Sequence, residues 1–120
     1  VAQLMSQAVQ YFVERGSQEK DLQIWMSPSI TQKNYRMDYF DHTNDTNWHN
    51  FCRQTADGIY LDMQGFNRSL AIQAGVLAEN IFISPIDTAD NPNYFSHSSG
   101  DVGGRFAVVA CMKSDPEVLN

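Results

Sequence analysis

The opening stretch VAQLMSQAVQYFVERG (residues 1–16) places Val1, Leu4, Met5, Ala8, Val9, Phe12 and Val13 at helical spacing, with Gln3, Gln7, Gln10 and Glu14 opposite. That is the pattern of an amphipathic helix with one face to bury. Gly16 costs a helix interior about 1 kcal/mol relative to Ala, so it either ends the helix or is tolerated within it. We expect tolerance, with the helix continuing through SQEKDLQIWM and stopping before Pro28, since the residue before a proline is biased out of helical conformation.

From Ser27 to Thr46 the sequence is polar and aromatic by turns and reads as an extended connection holding a short strand at YRMDYF. DTNWHNFCRQT offers Asp45 or Asn47 as a cap and spaces Trp48, Phe51, Cys52 and Thr55 as on a short helix. Asp57-Gly58 marks a turn, and Ile59, Leu61 and Met63 then alternate with polar neighbours as in a half-buried strand. In FNRSLAIQAGVLAE strand and helix compete. NIFIS reads as a strand ended by Pro85. GRFAVVACMK (Gly104 to Lys113) is apolar on both faces, as a central strand would be. A helix followed by segregated strands argues for an α+β fold, a long N-terminal amphipathic helix laid on an antiparallel sheet of about four strands.

With 120 residues, 42% hydrophobic and 12% aromatic, the chain can bury one core, and residues 1–120 are expected to form a single domain. Fourteen acidic against eight basic residues give a net charge of -6, which offers a phosphate backbone nothing to bind; nucleic acid is not an expected partner. The longest apolar run, Phe106 to Met112, falls far short of the roughly 20 residues that cross a hydrocarbon core. The chain begins at Val1 without an initiator methionine, which reads as a processed or excised fragment.

Cys52 and Cys111 match no zinc spacing, and a disulfide between them is the leading reading, with two separate buried thiols as the alternative. Closing a loop of roughly 60 residues would remove about 4 kcal/mol of unfolded-state entropy. Between Ser84 and Gly104, Asp87, Asp90, Asn91 and Asp101 could ligate calcium, but the same residue types dominate turns that need no ion. The loop lacks the glycine and closing glutamate of an EF-hand and reads mainly as a connection, with no cofactor expected apart from that calcium alternative. His42, Asp45, His49 and Cys52 supply zinc-type donors without compact spacing. Ser96, His97 and nearby aspartates are the ingredients of a triad, yet no nucleophile elbow, phosphate loop or HExxH stands in the chain, so catalysis is not expected.

The opening VAQLMSQAVQYFVERG and the closing ENIFISPIDTADNPNYFSHSSGDVGGRFAVVACMKSDPEVLN together resemble type IV pilins and the pseudopilins of type II secretion. That resemblance implies a structural subunit of a pilus or pseudopilus filament, with other such subunits as partners. It further implies anchorage in the inner membrane through a segment upstream of Val1, and a place at the bacterial cell surface or in the periplasm. In that family a loop of this region binds calcium. The rival reading is an extracytoplasmic sensor, with Trp25, Tyr35, Tyr39, Phe40 and Trp48 lining a small-ligand pocket or else plugging the gap between helix and sheet. The ending KSDPEVLN, with Asp115-Pro116 breaking the last strand, reads as a natural terminus and leans away from the sensor.

Overall fold

A computed structural model describes residues 3–113. Helix α1 spans Leu4–Glu14 and stops at Gly16 instead of running on to Pro28. Gly16 adopts φ +100, a left-handed conformation that costs glycine no Cβ clash. The Ser17 amide donates to the Phe12 carbonyl and the Gly16 amide to that of Val13, which is the Schellman closure of a helix end. The chain then makes one 3-10 turn (Glu19–Asp21) and enters strand β1 (Ile24–Met26), within the stretch expected to be helical.

Strand β2 (Arg36–Met37) falls inside YRMDYF as expected. The short helix expected around Trp48 is instead a single 3-10 turn (His49–Phe51), after which Cys52 opens strand β3 (Cys52–Thr55). Asp57-Gly58 turns the chain into strand β4 (Gly58–Leu61). Gly58 has φ +149, and the turn is tied down by the Tyr60 hydroxyl donating to Asp57 Oδ2 at 3.0 Å and by Thr55 Oγ1 donating to Asp57 Oδ1. Those bonds, Thr55's the larger, hold the Asp57 carboxyl below its ordinary value.

The ambiguous stretch is helix α2 (Met63–Gln73). Asp62 Oδ1 accepts from the Gly65 amide at 2.9 Å, a cap worth about 1 kcal/mol. Gly75 at φ +105 ends the helix, and after a 3-10 turn at Ala78–Asn80 comes strand β5 (Ile81–Ile83).

The expected four-stranded antiparallel sheet is not formed. β1 pairs in parallel with β5, Ile24 opposite Ile81, and a separate antiparallel sheet runs in the order β2, β4, β3. Residues 104–113 join neither sheet, so the expected closing strand is absent. Val1 and the Asp115-Pro116 break lie outside the described residues.

Two apolar clusters meet along α2. Val9 of α1 packs with Ala71, Val76 and Ile81, which seats α1 over the parallel pair. Trp48 packs with Phe66 and Leu70, joining the segment before β3 to the other side of α2. Met5 touches both clusters.

Candidate functional site

The loop from Ser84 to Gly104 is built around Asp87. An isolated parallel bridge from Ser29 to Asp87 continues the β1–β5 pairing, with the Thr88 amide donating to the Ser29 carbonyl at 3.1 Å. This places the Asp87 carboxylate over residues 31–34. Oδ2 accepts from the Thr31 amide at 3.2 Å, from the Thr31 hydroxyl and from Asn34 Nδ2 at 3.0 Å, while Oδ1 accepts from the Ala89 amide at 2.8 Å. Burial pushes this carboxyl up, but the hydrogen bonds from Thr31, Ala89 and Asn34 together outweigh it and leave Asp87 below the ordinary value of 3.8. Four donors on one carboxylate make a structural knot.

The other acidic and amide groups of the loop are similarly engaged. Asp90 Oδ2 accepts from Lys33 Nζ at 2.8 Å, an exposed pair in which the lysine lowers the carboxyl and the carboxylate raises the lysine. Asn91 Oδ1 accepts from the Asn93 amide at 2.9 Å, an Asx turn. Asp101 Oδ2 accepts from the Ser96 amide at 2.9 Å. Asp90, Asn91 and Asp101 do line one shallow hollow of about 320 Å³, together with Tyr94 and Ser99. Asp87 lies outside its lining.

The stability contributed by Asp87 should therefore depend on pH in one direction. A carboxyl whose folded value is depressed contributes fully above the unfolded value of 3.8 and loses that contribution as pH falls through the lower folded one. Urea midpoints measured from neutral to strongly acidic pH should fall more steeply for the native chain than for Asp87→Asn. Parallel curves would show that the knot adds nothing.

The zinc-type donors do not converge. His42 sits in the segment before β3, its Nε2 3.3 Å from Asp41 Oδ1 and its ring against Phe40. Asp45 caps its own turn by accepting from the Asn47 amide. His49 lies exposed on the turn before β3, and His97 lies exposed on another 3-10 turn at His97–Ser99. Cys52 and Cys111 are both free thiols, the first half-buried, its thiol pushed up by burial, and the second exposed. Among the described residues, no three His, Cys, Asp or Glu side chains are grouped to hold a metal ion.

The aromatic residues do not frame a pocket. Phe40 and Trp48 belong to the α2 cluster, whereas Trp25 and Tyr39 are exposed. Thr31, Lys33 and Asn34, the partners that organise the loop, carried no sequence signal because more than fifty positions separate them from Asp87 and Asp90.

The fold is similar to that of a solved structure, the hypothetical protein YfiH of Bacillus licheniformis, with a TM-score of 0.70 and 24% identity over 82% of this chain. The chain spans 41% of the length of that structure. No curated protein matches. A family model described as multi-copper polyphenol oxidoreductase laccase matches residues 1–113.

These matches overturn the resemblance to pilins and pseudopilins, and with it the filament subunit, its filament partners and its membrane anchorage; the sensor reading falls too. No helix among the described residues is long and apolar enough to cross a membrane. The expectation of a non-catalytic chain is corrected as well, since the matched family is one of oxidoreductases, and its description names copper, giving calcium no support. Because the match runs through α1, both sheets, α2 and the Asp87 loop up to Lys113, the chain belongs to the multi-copper polyphenol oxidoreductase laccase family.

Proposed function

We propose that this chain is the scaffold part of an enzyme that oxidises polyphenols, and that it contributes shape and packing to that enzyme without ligating its copper. The observation that carries this reading is the family match over residues 1–113 together with metal-type donors that stay apart among the described residues. Protein copper centres rest on imidazole and thiolate donors brought together within one small site. Here His42, His49 and His97 stand on three different segments, and among the described residues no three His, Cys, Asp or Glu side chains are grouped. The described residues therefore do not fit a copper centre, and no catalytic step is assigned to them.

Two measurements on one preparation test the reading. Residues 1–120, mixed with cupric ion and dialysed, should retain copper far below one ion per chain by mass spectrometry and show no protein-bound cupric signal by electron paramagnetic resonance. The polypeptide that carries these residues, expressed as encoded and loaded with copper, should take up oxygen when given a catechol-type substrate. A copper-loaded polypeptide inert toward phenols overturns the activity. Stoichiometric copper on residues 1–120 overturns the scaffold role.

A further inference from the structure

Helix α1 carries more apolar surface than its own core uses. At about 100° per residue, its apolar positions from Leu4 to Val13 sweep an arc of roughly 200°, twice the stripe that seats a surface helix on one core. Met5, Val9 and Val13 take up one half of that arc against Ala71, Val76 and Ile81. The other half faces outward. Leu4 is 69%, Tyr11 53% and Phe12 52% exposed, and Ala8 is exposed between them. Within Leu4–Glu14 the only charged residue is Glu14, on the opposite, polar side of the helix, so this face carries no charge that would repel an apolar partner.

The outward half is shaped as well as apolar. A hollow of about 220 Å³ lies beside Phe12, closed on its far side by Leu22 and Ile24. A second, of about 320 Å³, lies beside Leu4 and is walled by Met26 and Asn67. Both are lined by Met5 and Ala8, and no charged side chain lines either. Ala8 is thus the low point between two knobs, each with a hollow next to it.

This arrangement is complementary to itself. Leu4, Ala8 and Phe12 form one ridge at four-residue spacing, with the small residue at its centre and a large one to each side. A two-fold axis over Ala8 lays the same ridge of a second copy antiparallel across it, alanine against alanine, where short side chains let the helices approach closely. Leu4, the smaller knob, then meets the smaller hollow beside Phe12 of the second copy, and Phe12 meets the larger hollow beside Leu4. Each contact occurs twice, as a closed two-fold interface requires. Ridges at this spacing interdigitate at a crossing angle of about -50°.

We propose that the outer face of α1 is a homodimer interface, occupied by α1 of a second copy packed antiparallel about Ala8. Leu4, Ala8, Tyr11 and Phe12 offer an apolar patch on the order of a few hundred Å², at the low end of specific interfaces. The dimer therefore forms and separates with concentration. A charge of -6 on each copy opposes the encounter, whereas the apolar contact itself is uncharged, so screening by salt tightens the pair.

Sedimentation equilibrium of the polypeptide as encoded, over about 1 to 500 µM, tests the proposal. The mass should climb from one copy to two, at lower concentration when salt is raised. Ala8→Lys, which puts a charge where the helices cross, should move that rise at least about a hundredfold upward. It should leave the unfolding midpoint at the lowest concentration unmoved, because Ala8 is exposed in the single copy. In a mixture of light and isotope-heavy chains, a photo-crosslinking benzoylphenylalanine replacing Leu4 should link light to heavy within residues 8–24. A mass that stays at one copy throughout, or Ala8→Lys chains that pair as well as the native ones, would overturn the proposal. So would a lower midpoint for dilute Ala8→Lys, or a link only within the same polypeptide, since either means that the single copy already covers this face. Neither copper nor a phenol enters these readouts, so the dimer can fail while the enzymatic reading stands, and the reverse.

Discussion

Trp48→Ala should cost about 3–5 kcal/mol, a large part of the total stability of about 5–15 kcal/mol that a domain of this size commands. Trp48 is 1% exposed. Its ring lies flat on Phe66, centroids 3.7 Å apart and planes within 7°, and Phe40 meets it edge-on at 5.0 Å. The flat stack has little offset, so ring electrostatics favour it less than the edge contact, and removal of both faces from water supplies most of the stabilisation. Truncation leaves a cavity that Phe66, fixed on α2, cannot collapse into without moving the helix. Urea unfolding should record the loss, and Trp48→Phe, which keeps a ring against Phe66, should lose distinctly less. A Trp48→Ala chain within about 1 kcal/mol of the native one would mean that this cluster does not hold β3 to α2.

Val9→Asp should be at least as damaging, by about 3 kcal/mol or more at neutral pH, through a different cause. Val9 is 4% exposed and faces Ala71, Val76 and Ile81, none of which can donate a side-chain hydrogen bond. A carboxylate there either remains charged without a partner or takes up a proton, so its folded value rises above the unfolded one. The sign of the pH dependence follows. The penalty is greatest above the folded value and shrinks as pH falls toward the unfolded value of about 4, until both states carry the proton. Thermal unfolding of the variant should therefore draw closer to that of the native chain on mild acidification, whereas Val9→Ala, which introduces no charge, should keep a constant gap. A gap for Val9→Asp that does not change with pH would mean that α1 swings away and leaves the side chain in water.

Much of the secondary structure was legible where a signal was local. The Asp57-Gly58 turn, the strand after it as far as Leu61 and the IFI run fell where periodicity placed them, because hairpins and short strands are specified by neighbours in sequence, whereas Met63, expected in that strand, opens α2 instead. Gly16 offered two readings, and only the Schellman bonds from Gly16 and Ser17 decide that the helix ends. Once α1 stops there, IWM is released to become β1, and a long helix on one sheet becomes a short helix on a parallel pair. In α2, Phe66, Leu70 and Ala71 face two different clusters, so no single apolar stripe marked it as a helix. The closing ribbon misled for another reason. Its composition is that of a strand, but a strand is made by its partner, and none of the described residues provides one.

The candidate site was legible only as composition. Asp87, Asp90, Asn91 and Asp101 were visible as oxygen donors and as turn residues, and Asn91 and Asp101 do accept from nearby amides, while the engagement of Asp87 by Thr31 and Asn34 and of Asp90 by Lys33 joins distant segments that no local pattern encodes. The two thiols likewise offered a count and no geometry, and the structure leaves them free.

The parallel pairing of Ile24 with Ile81 has a kinetic consequence. The β3–β4 hairpin needs only the two residues of its turn to close, and α2 begins immediately after it, so these elements can organise from contacts close in sequence. β1 must instead wait for a strand far downstream, and closing so long a loop consumes chain entropy before any contact repays it. During synthesis α1 is made before its seat, because Val76 and Ile81, on which Val9 rests, follow it by more than sixty positions. The amphipathic face of α1 therefore stays without its seat until β5 has been made, so among these elements the earliest in sequence is one of the last to be secured.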